Sequence, residues 1–259
     1  MSTIIYPSPV FGPVHSRRLG VSLGINLLPA DGKVCSFDCI YCECGLNAER
    51  RASLPLPTRT EVAAALETRL TEMAARGVRP DVLTFAGNGE PTLHPAFAAI
   101  IGDTIALRDR HCPEARISVL SNATQLHRAD VHAALMRVDN NIQKLDTVDT
   151  AFIRAVDRPQ GRYDVERVVA QMKAFGGQVV VQTMFLTGTD AAGHDVDNTT
   201  ERHVQPWLDA LRRIAPRQVM IYTVDRETPV PTLRKAQPER LDAIAAQVKA
   251  IGIDCSVAY

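Results

Sequence analysis

Three cysteines in one short segment are the residues of this chain whose spacing indicates chemistry most directly. Cys35, Cys39 and Cys42 lie within eight residues, in the order Cys-x-x-x-Cys-x-x-Cys. A segment of this length can wrap three thiolates around one side of a compact metal centre. Because a cluster ligated entirely by protein uses four thiolates, a set of three leaves one iron open to an exogenous ligand. The spacing therefore favours an iron–sulfur cluster with one iron free to bind and activate a ligand.

Two other interpretations of the cysteines stay open from spacing alone. With Cys44 the segment offers four thiols within ten residues, which is enough for a zinc site. Structural zinc usually draws two pairs of ligands from separate loops, whereas all four thiols here lie on one segment. Plain buried cysteines are the other interpretation. Cys112 and Cys255 have no neighbouring cysteine in the sequence, and we expect both to be packed thiols.

The composition limits the classes of protein to consider. Of the 259 residues, 46% are hydrophobic and 22% are charged, which is ordinary for a globular domain. Lys plus Arg and Asp plus Glu number 29 each, so the neutral net charge weighs against a broad basic surface for nucleic acid. The start does not resemble a signal peptide, and no run of ~20 apolar residues is present. We therefore expect no membrane span. Clustered cysteines without a secretion signal predict a reducing, cytoplasmic setting.

The elements that must position the cysteines alternate between strand and helix. Apolar runs predict six core strands and a short terminal one, at residues 24–28, 81–86, 116–121, 141–145, 178–186, 218–224 and 253–257. Helical spacing predicts helices at residues 58–76, 94–110, 128–137, 162–175, 201–214 and 238–251. This alternation implies right-handed crossovers and a mostly parallel sheet. Periodicity alone fits both a doubly wound sheet and an open (β/α) barrel.

Polar residues and glycines follow several of the predicted strands. They are Gly87, Asn88, Gly89 and Glu90 after the second strand, Ser121 and Asn122 at the end of the third, Lys144 and Asp146 at the end of the fourth, and Gln182 within the fifth. In either fold the carboxyl ends of parallel strands carry the chemistry. Turn formation, helix capping and a structural ion pair are the alternative roles for these residues.

The cysteine motif, with the aromatic Tyr41 just before its last cysteine, resembles the signature of the radical S-adenosylmethionine (SAM) superfamily. The resemblance implies a 4Fe-4S cluster whose open iron chelates the amino and carboxylate groups of SAM. It also implies reductive cleavage of SAM to a 5′-deoxyadenosyl radical that abstracts hydrogen from a substrate. An external one-electron reductant of the flavodoxin or ferredoxin type is then the expected partner.

The same resemblance suggests roles for the residues at the strand ends. Tyr41 would lie near the adenine. The segment from Gly87 to Glu90 is similar to the Gly-Gly-Glu motif that binds the methionine amino group, with Asn88 inserted between the glycines. Ser121 and Asn122 correspond to polar SAM contacts in the family. The remaining expected cofactor contacts are Lys144, Asp146 and Gln182, and no residue is assigned a catalytic role.

One branch of the superfamily is favoured by the flanking segments. Residues 11–26 and 221–226 resemble the small iron–sulfur oxidoreductases related to the wyosine-base tRNA-modifying enzymes. Arg17 and Arg18 are candidates for holding an anionic group, or for an ordinary ion pair. The polar segment 187–200 is expected to be a solvated connection, with a substrate loop as the alternative.

The predicted fold class is α/β, a single-domain partial (β/α)6 TIM-like barrel with parallel strands. Residues 1–22 form an N-terminal extension, 23–226 the barrel core, and 227–259 a C-terminal helix and short strand. The leading functional hypothesis is a radical SAM enzyme acting on an unidentified small molecule, peptide or protein. A tRNA-modifying radical SAM enzyme and a zinc-stabilised binding protein without catalysis are the alternatives. Neutral charge and the 5% aromatic content weigh against the tRNA hypothesis.

Overall fold

A single large β-sheet organises the protein. The computed structural model describes residues 3–16 and 20–259. Eight strands are hydrogen-bonded in the order β1-β2-β3-β4-β5-β6-β8-β10, and β7 pairs with β9 in a separate two-stranded sheet. The strands are β1 (Val10–Ser16), β2 (Gly20–Ile25), β3 (Val82–Phe85), β4 (Arg116–Ser121), β5 (Asn140–Lys144), β6 (Val179–Met184), β7 (Leu186–Gly188), β8 (Gln218–Tyr222), β9 (Leu233–Lys235) and β10 (Asp254–Ala258).

The strand order decides between the two architectures that periodicity left open. From β2 to β10 the large sheet is parallel, and its spatial order follows the chain order. A doubly wound sheet reverses direction at a switch point, and this sheet has no such reversal. Every crossover therefore proceeds the same way round, as in a TIM-like barrel, and the edge strands β1 and β10 leave that barrel open. The predicted partial barrel is confirmed.

Helices cover the outer face of the sheet. They are α1 (Arg59–Ala75), α2 (Phe97–His111), α3 (Ala129–Leu135), α4 (Thr150–Phe152), α5 (Val165–Lys173), α6 (Glu201–Ile214) and α7 (Pro238–Ala250). A 3-10 turn spans Pro91–Leu93, and a π-helical turn at Ile153–Asp157 continues α4. Within the described chain, no helix has both the length and the apolar character needed to cross a membrane.

The two faces of the sheet bury different sets of side chains because strand residues alternate in direction. The larger hydrophobic cluster joins the outer face to the helices and includes Phe85, Phe97 and Trp207. The inner face carries a small cluster made from four adjacent strands, namely Leu120, Ile142, Val180 and Met220. The residues two positions further along these strands therefore point into the barrel near its carboxyl end.

Three elements were not predicted. The strand β1 contains Gly12 and Pro13, which disguise its pattern, and it pairs antiparallel with β2. Part of the predicted N-terminal extension thus belongs to the sheet. The first predicted strand also begins earlier than expected, at Gly20 rather than Gly24. The second element that was not predicted is α4 with its π-turn, and the third is the β7–β9 pair. Both lie close to the cysteine segment.

The first helix offers a test of local stability. Thr58 accepts a hydrogen bond from the backbone of Glu61 (3.2 Å), and Glu61 accepts one from the backbone of Thr58 (2.7 Å). Thr58→Ala removes one half of this capping box and should lower the free energy of unfolding by ~1 kcal/mol. Urea denaturation measures the change. The exposed Thr71→Ala, within the same helix, is the matched control and should cost nothing because Ala is the better helix former. Equal losses in both variants would contradict the capping assignment.

Candidate metal centre and cofactor site

The cysteine segment forms a loop between β2 and α1 that is shaped by its own hydrogen bonds. The side chain of Asn47 donates to the carbonyl oxygens of Cys35 (3.3 Å) and Phe37 (3.1 Å). The backbone N–H of Cys42 donates to the carbonyl of Cys39 at 3.1 Å. The first two contacts hold the backbone around Cys35, and the third closes the turn from Cys39 to Cys42. We call residues 33–47 the cysteine loop.

The helical segment at residues 150–157, which was not predicted, supports the cysteine loop from one side. The backbone of Ile40 donates to the carbonyl of Val156 (2.9 Å), and that of Asp38 donates to the carbonyl of Asp157 (3.0 Å). A hydrophobic cluster fills the space beneath, and its members include Phe37, Ile40, Phe152, Val156, Met184, Leu186 and Val230. The loop therefore rests on an apolar layer built by the 150–157 helix and the β7–β9 pair.

The turn after β3 is joined directly to the cysteine loop. Val34 donates its backbone N–H to the carbonyl of Asn88 (2.9 Å), and Glu90 donates to the carbonyl of Val34 (3.1 Å). Gly89 has φ +130°, and a Cβ there would overlap the Val34 carbonyl. A Cβ on Gly87 would lie 2.7 Å from Cγ of Asn26. The glycines thus allow two segments of the protein itself to approach each other closely.

Asn88 has a role that the sequence did not reveal. Its side chain is fully buried and donates to the carbonyl oxygens of Tyr6 (2.9 Å) and Pro29 (2.8 Å). Its amide oxygen accepts from the backbone of Tyr6 at 2.8 Å. Both N–H groups of the amide are used in these contacts. Any contact of Asn88 with a cofactor would have to come from another of its atoms.

The three thiols of the motif differ in environment. Burial raises the pKa of Cys35 to about 12 and raises that of Cys39 well above its usual range. Cys44 lies within hydrogen-bonding reach of Cys42 and, with Lys33, lowers the pKa of the Cys42 thiol to about 6. Cys42 is half-buried. It is therefore the thiol of the motif that ionises most readily.

The donor chemistry of the cysteine loop fits an iron–sulfur cluster. Within residues 3–16 and 20–259, no three Cys, His, Asp or Glu side chains converge on one point. A cubane cluster offers each thiolate a separate iron, so its ligands surround a volume instead of meeting at a point. Three thiols on one loop fit the ligand chemistry of an iron–sulfur cluster.

Lys33 is a charged residue of the site that sequence reasoning missed. Its side chain is only 1% exposed, and its ammonium donates to the carbonyl of Gly45 at 2.7 Å. Burial lowers the pKa of Lys33, but Cys42, Cys35, Cys39 and Asp38 together raise it by more, so the net shift is upward. Its position just before the first cysteine was the available signal.

Glu90 is a buried carboxylate held by several hydrogen-bond donors, among them the side chain of Ser121. It accepts hydrogen bonds from the backbone of Thr92 (3.0 Å), the hydroxyl of Thr92 (2.5 Å) and the backbone of Asn122 (2.6 Å). Burial raises its pKa, and these hydrogen bonds work in the opposite direction. In the part of the chain that the structure describes, Glu90 has no ion-pair partner. A cationic group, such as the amino group of a bound amino acid, would supply the missing counter-charge.

The end of β4 reaches the cysteine loop through Asn122. Its amide donates to the hydroxyl of Ser36 (2.9 Å) and lies 3.6 Å from Sγ of Cys35. Ser121 accepts a hydrogen bond from the backbone of Ala123 at 3.1 Å. The structure thus brings Asn122 against the first cysteine, while Ser121 shapes the turn beside it.

A buried ionic network follows β5. The ammonium of Lys144 lies 2.5 Å from Asp146 and 2.6 Å from Asp157, and Tyr41 donates its hydroxyl to Asp146. Lys144 also lies over the ring of Tyr41, at 5.5 Å. Burial raises the pKa of Asp157 to about 7 despite Lys144. The predicted residues Tyr41, Lys144 and Asp146 therefore form one network, in which Asp157 had no signal in the sequence.

Gln182 points into the barrel beyond the inner hydrophobic cluster. It lies opposite Lys144 in the register of β5 and β6 and donates to the hydroxyl of Tyr222 at 2.9 Å. Its side-chain oxygen is buried and, among the described residues, has no hydrogen-bond partner. Buried polar atoms are rarely left unpaired. A ligand that hydrogen-bonds to Gln182 would satisfy this oxygen.

The polar segment 187–200 borders the site through Asn198, whose side-chain amide donates to the carbonyl of Asp146 at 3.2 Å, while its other polar groups mostly hydrogen-bond within the segment. In the polar segment, Asp190 accepts from the backbone of His194 (2.9 Å) and Asp197 accepts from that of Thr199 (2.7 Å). These contacts are typical of a connection that caps its own turns. Arg17 and Arg18 lie outside the described residues.

Comparison with solved structures shows which proteins share this fold. A radical SAM methyltransferase from Sphaerobacter thermophilus superimposes with a TM-score of 0.66 at 15% identity, over 92% of this chain and 66% of that one. TYW1 with a lysine-pyruvate adduct bound gives 0.57 at 11% identity, over 88% of this chain and 73% of that one. SuiB of Streptococcus suis bound to SAM gives 0.62 at 14% identity, over 90% and 50%. This chain has the radical SAM fold, as the cysteine motif predicted.

Sequence relatives define the family. No protein-family model matches the chain. A UPF0026 protein of Synechocystis sp. is 31% identical over 229 residues, which cover 85% of this chain and 77% of the relative. UPF0026 protein MJ1312 of Methanocaldococcus jannaschii is 29% identical over 241 residues, covering 90% and 68%. The chain belongs to the UPF0026 family.

The contact between Gly89 and Val34 can be tested through stability. Gly89→Ala should separate the cysteine loop from the 87–90 turn, because the added Cβ overlaps the Val34 carbonyl. Gly193 also has a positive φ, of +85°, but no atom within 4 Å of an added Cβ. Gly193→Ala should therefore cost only backbone strain, ~1–2 kcal/mol, and Gly89→Ala should cost ~1–3 kcal/mol more. Urea unfolding compares the two variants, and equal losses would show that the contact is not tight.

The ionisation of Cys42 predicts a selective reaction. At pH 7, iodoacetamide should alkylate Cys42 of the cluster-free protein before the other thiols of the motif, because thiolate is the reactive form. Cys255 is also half-buried, but burial raises its pKa to about 11, so it is the internal control. Cys44→Ala removes the neighbour that lowers the pKa of Cys42 and should slow the reaction. Peptide mapping by mass spectrometry gives the order, and alkylation of Cys255 as fast as that of Cys42 would refute it.

Proposed function

We propose that this chain is a radical SAM enzyme that holds a 4Fe-4S cluster on Cys35, Cys39 and Cys42. When bound, the reduced cluster supplies an electron to SAM, whose cleavage gives methionine and a 5′-deoxyadenosyl radical able to abstract hydrogen from a substrate. The electron would come from an external one-electron reductant of the flavodoxin or ferredoxin class. The substrate is proposed only as a molecule that enters the open barrel.

One observation carries the proposal. The cysteine loop is hydrogen-bonded to the turn that ends in Glu90, and Asn122 contacts both Glu90 and Cys35. Residues from three separate strand ends are thereby assembled around one position. A zinc-stabilised binding protein has no need for a buried, unpaired carboxylate at that position.

The proposed roles follow from the contacts of each residue. Glu90 would accept the amino group of SAM, because it is buried and lacks a cation in the described chain. Its hydrogen-bond donors hold the carboxylate in place before the cofactor arrives. Asn122 would position Cys35 through its amide. Gln182 would accept a hydrogen bond from cofactor or substrate through its unpaired oxygen. Gly87, Gly89 and Ser121 would shape the turns that place these groups.

The network around Lys144 would form the opposite wall of the site. Tyr41 is fixed by Asp146 and by the ammonium of Lys144 over its ring, so it presents a rigid aromatic surface suited to a purine. Lys144 and Asp146 would therefore act through Tyr41, and Asp157 completes their hydrogen bonds. Removing one member would leave a buried charge without its partner.

Anaerobic reconstitution with iron and sulfide tests the proposal. Absorption and EPR spectra should report a 4Fe-4S cluster, and dithionite with SAM should then release 5′-deoxyadenosine. Cys39→Ala should abolish both signals because it removes a cluster ligand. Cys255→Ala changes a thiol on β10, distant in sequence from the loop, and should retain both.

Two outcomes would overturn the proposal. The first is a wild-type protein that binds zinc and gives no cluster signal after reconstitution. The second is a Cys39→Ala variant that cleaves SAM at the wild-type rate. Salt-dependent binding of tRNA, with a slope that reports several phosphate contacts, would instead direct the search for the substrate towards RNA.

A further inference from the structure

Lys33 places an ammonium group inside the cysteine loop. The side chain is 1% exposed and turns away from solvent to the carbonyl of Gly45, 2.7 Å away. Its nearest carboxylate is that of Asp38, at the longer distance of 3.5 Å. Asp38 is itself bound by the backbone N–H of Asn47 at 2.7 Å. The positive charge is therefore buried beside Gly45, whose backbone N–H donates to the carbonyl of Cys42 at 2.9 Å, and it is only loosely paired with a carboxylate.

The other buried cation near the motif does not have this character. Lys144 lies within 2.6 Å of two carboxylates, those of Asp146 and Asp157. Its charge is opposed by these close partners of opposite sign, although it still acts on the thiol of Cys39. Among the described residues, Lys33 lacks such close carboxylates, and the thiols of Cys42, Cys35 and Cys39 act to raise its pKa. Of the two buried cations, Lys33 is therefore the one whose charge is less neutralised by carboxylates.

Charge beside a cluster changes how easily the cluster accepts an electron. Reduction adds one negative charge, with no bond formed or broken, and the external reductant loses one electron. A buried positive charge stabilises the more negative state, because the low dielectric strengthens the attraction, and net charge is one of the factors that set cluster potentials. We propose that Lys33 is a positioning residue that raises the reduction potential of the cluster by holding a fixed positive charge beside its thiolates. This inference rests on the proposed function of the cysteine loop.

Two substitutions of opposite sign test it. Lys33→Met removes the charge at similar length and should lower the equilibrium constant for one-electron reduction at least tenfold, ~59 mV for a one-electron couple. Asp38→Asn keeps an oxygen for the backbone of Asn47 but removes the opposing charge, so the potential should rise. Lys33→Arg keeps the charge and should restore most of the wild-type value. Lys235→Met, at an exposed surface pair with Asp225, is the control and should change nothing.

The potential is measured by EPR-monitored redox titration of reconstituted protein without SAM, with iron content and thermal unfolding measured in parallel. If Lys33→Met does not fold or assemble a cluster, Asp38→Asn still tests the sign of the effect. If the substitutions merely damaged the loop, Lys33→Met and Asp38→Asn would shift the reduction potential in the same direction. That result would overturn the inference. If the wild-type protein assembles a cluster but neither substitution changes the reduction potential, this inference alone is overturned. A wild-type protein that assembles no cluster would overturn the proposed function and this inference together.

Discussion

The contact between the cysteine loop and the 87–90 turn is the constraint on which the site depends. The loop leaves β2 and the turn leaves β3, and these strands are parallel neighbours. Their carboxyl ends therefore emerge side by side, and the backbone of Val34 pairs with Gly89. Once that pair forms, Glu90 lies beside Cys35, and the next strand brings Asn122 against both. The order of strands in the sheet thus determines which polar groups can meet.

Burial makes it costly for the acidic groups of this site to carry a charge. The thiols of Cys35 and Cys39 and the carboxylate of Glu90 are all easier to protonate than they would be in water, because burial disfavours their charged forms. The described residues oppose this with Lys33 beside the thiols and with backbone donors on Glu90. A bound cationic group would complete the balance at Glu90. The site is therefore arranged for charged groups that the chain itself does not supply, and this is the physical basis of the proposed function.

Local patterns predicted the parts of the fold that local forces determine. The helix α6 begins and ends where its spacing placed it, and α1 begins at the capping box of Thr58. The strand β4 also matches its predicted limits. By contrast, β1 is held by pairing with β2, and the π-helical turn by its contacts with the cysteine loop. Such elements depend on partners distant in sequence, which periodicity does not record.

The same distinction separates the site residues that sequence could reveal from those it could not. A motif at a strand end fixes the place of the cysteines, but not which groups surround them. The fourth thiol illustrates this. Cys44 is 6% exposed and donates to the carbonyl of Gly87 at 3.3 Å, so it joins the loop to the turn. The spacing of four thiols in ten residues allowed a fourth ligand, whereas this contact gives Cys44 a structural partner and favours three ligands with one iron open.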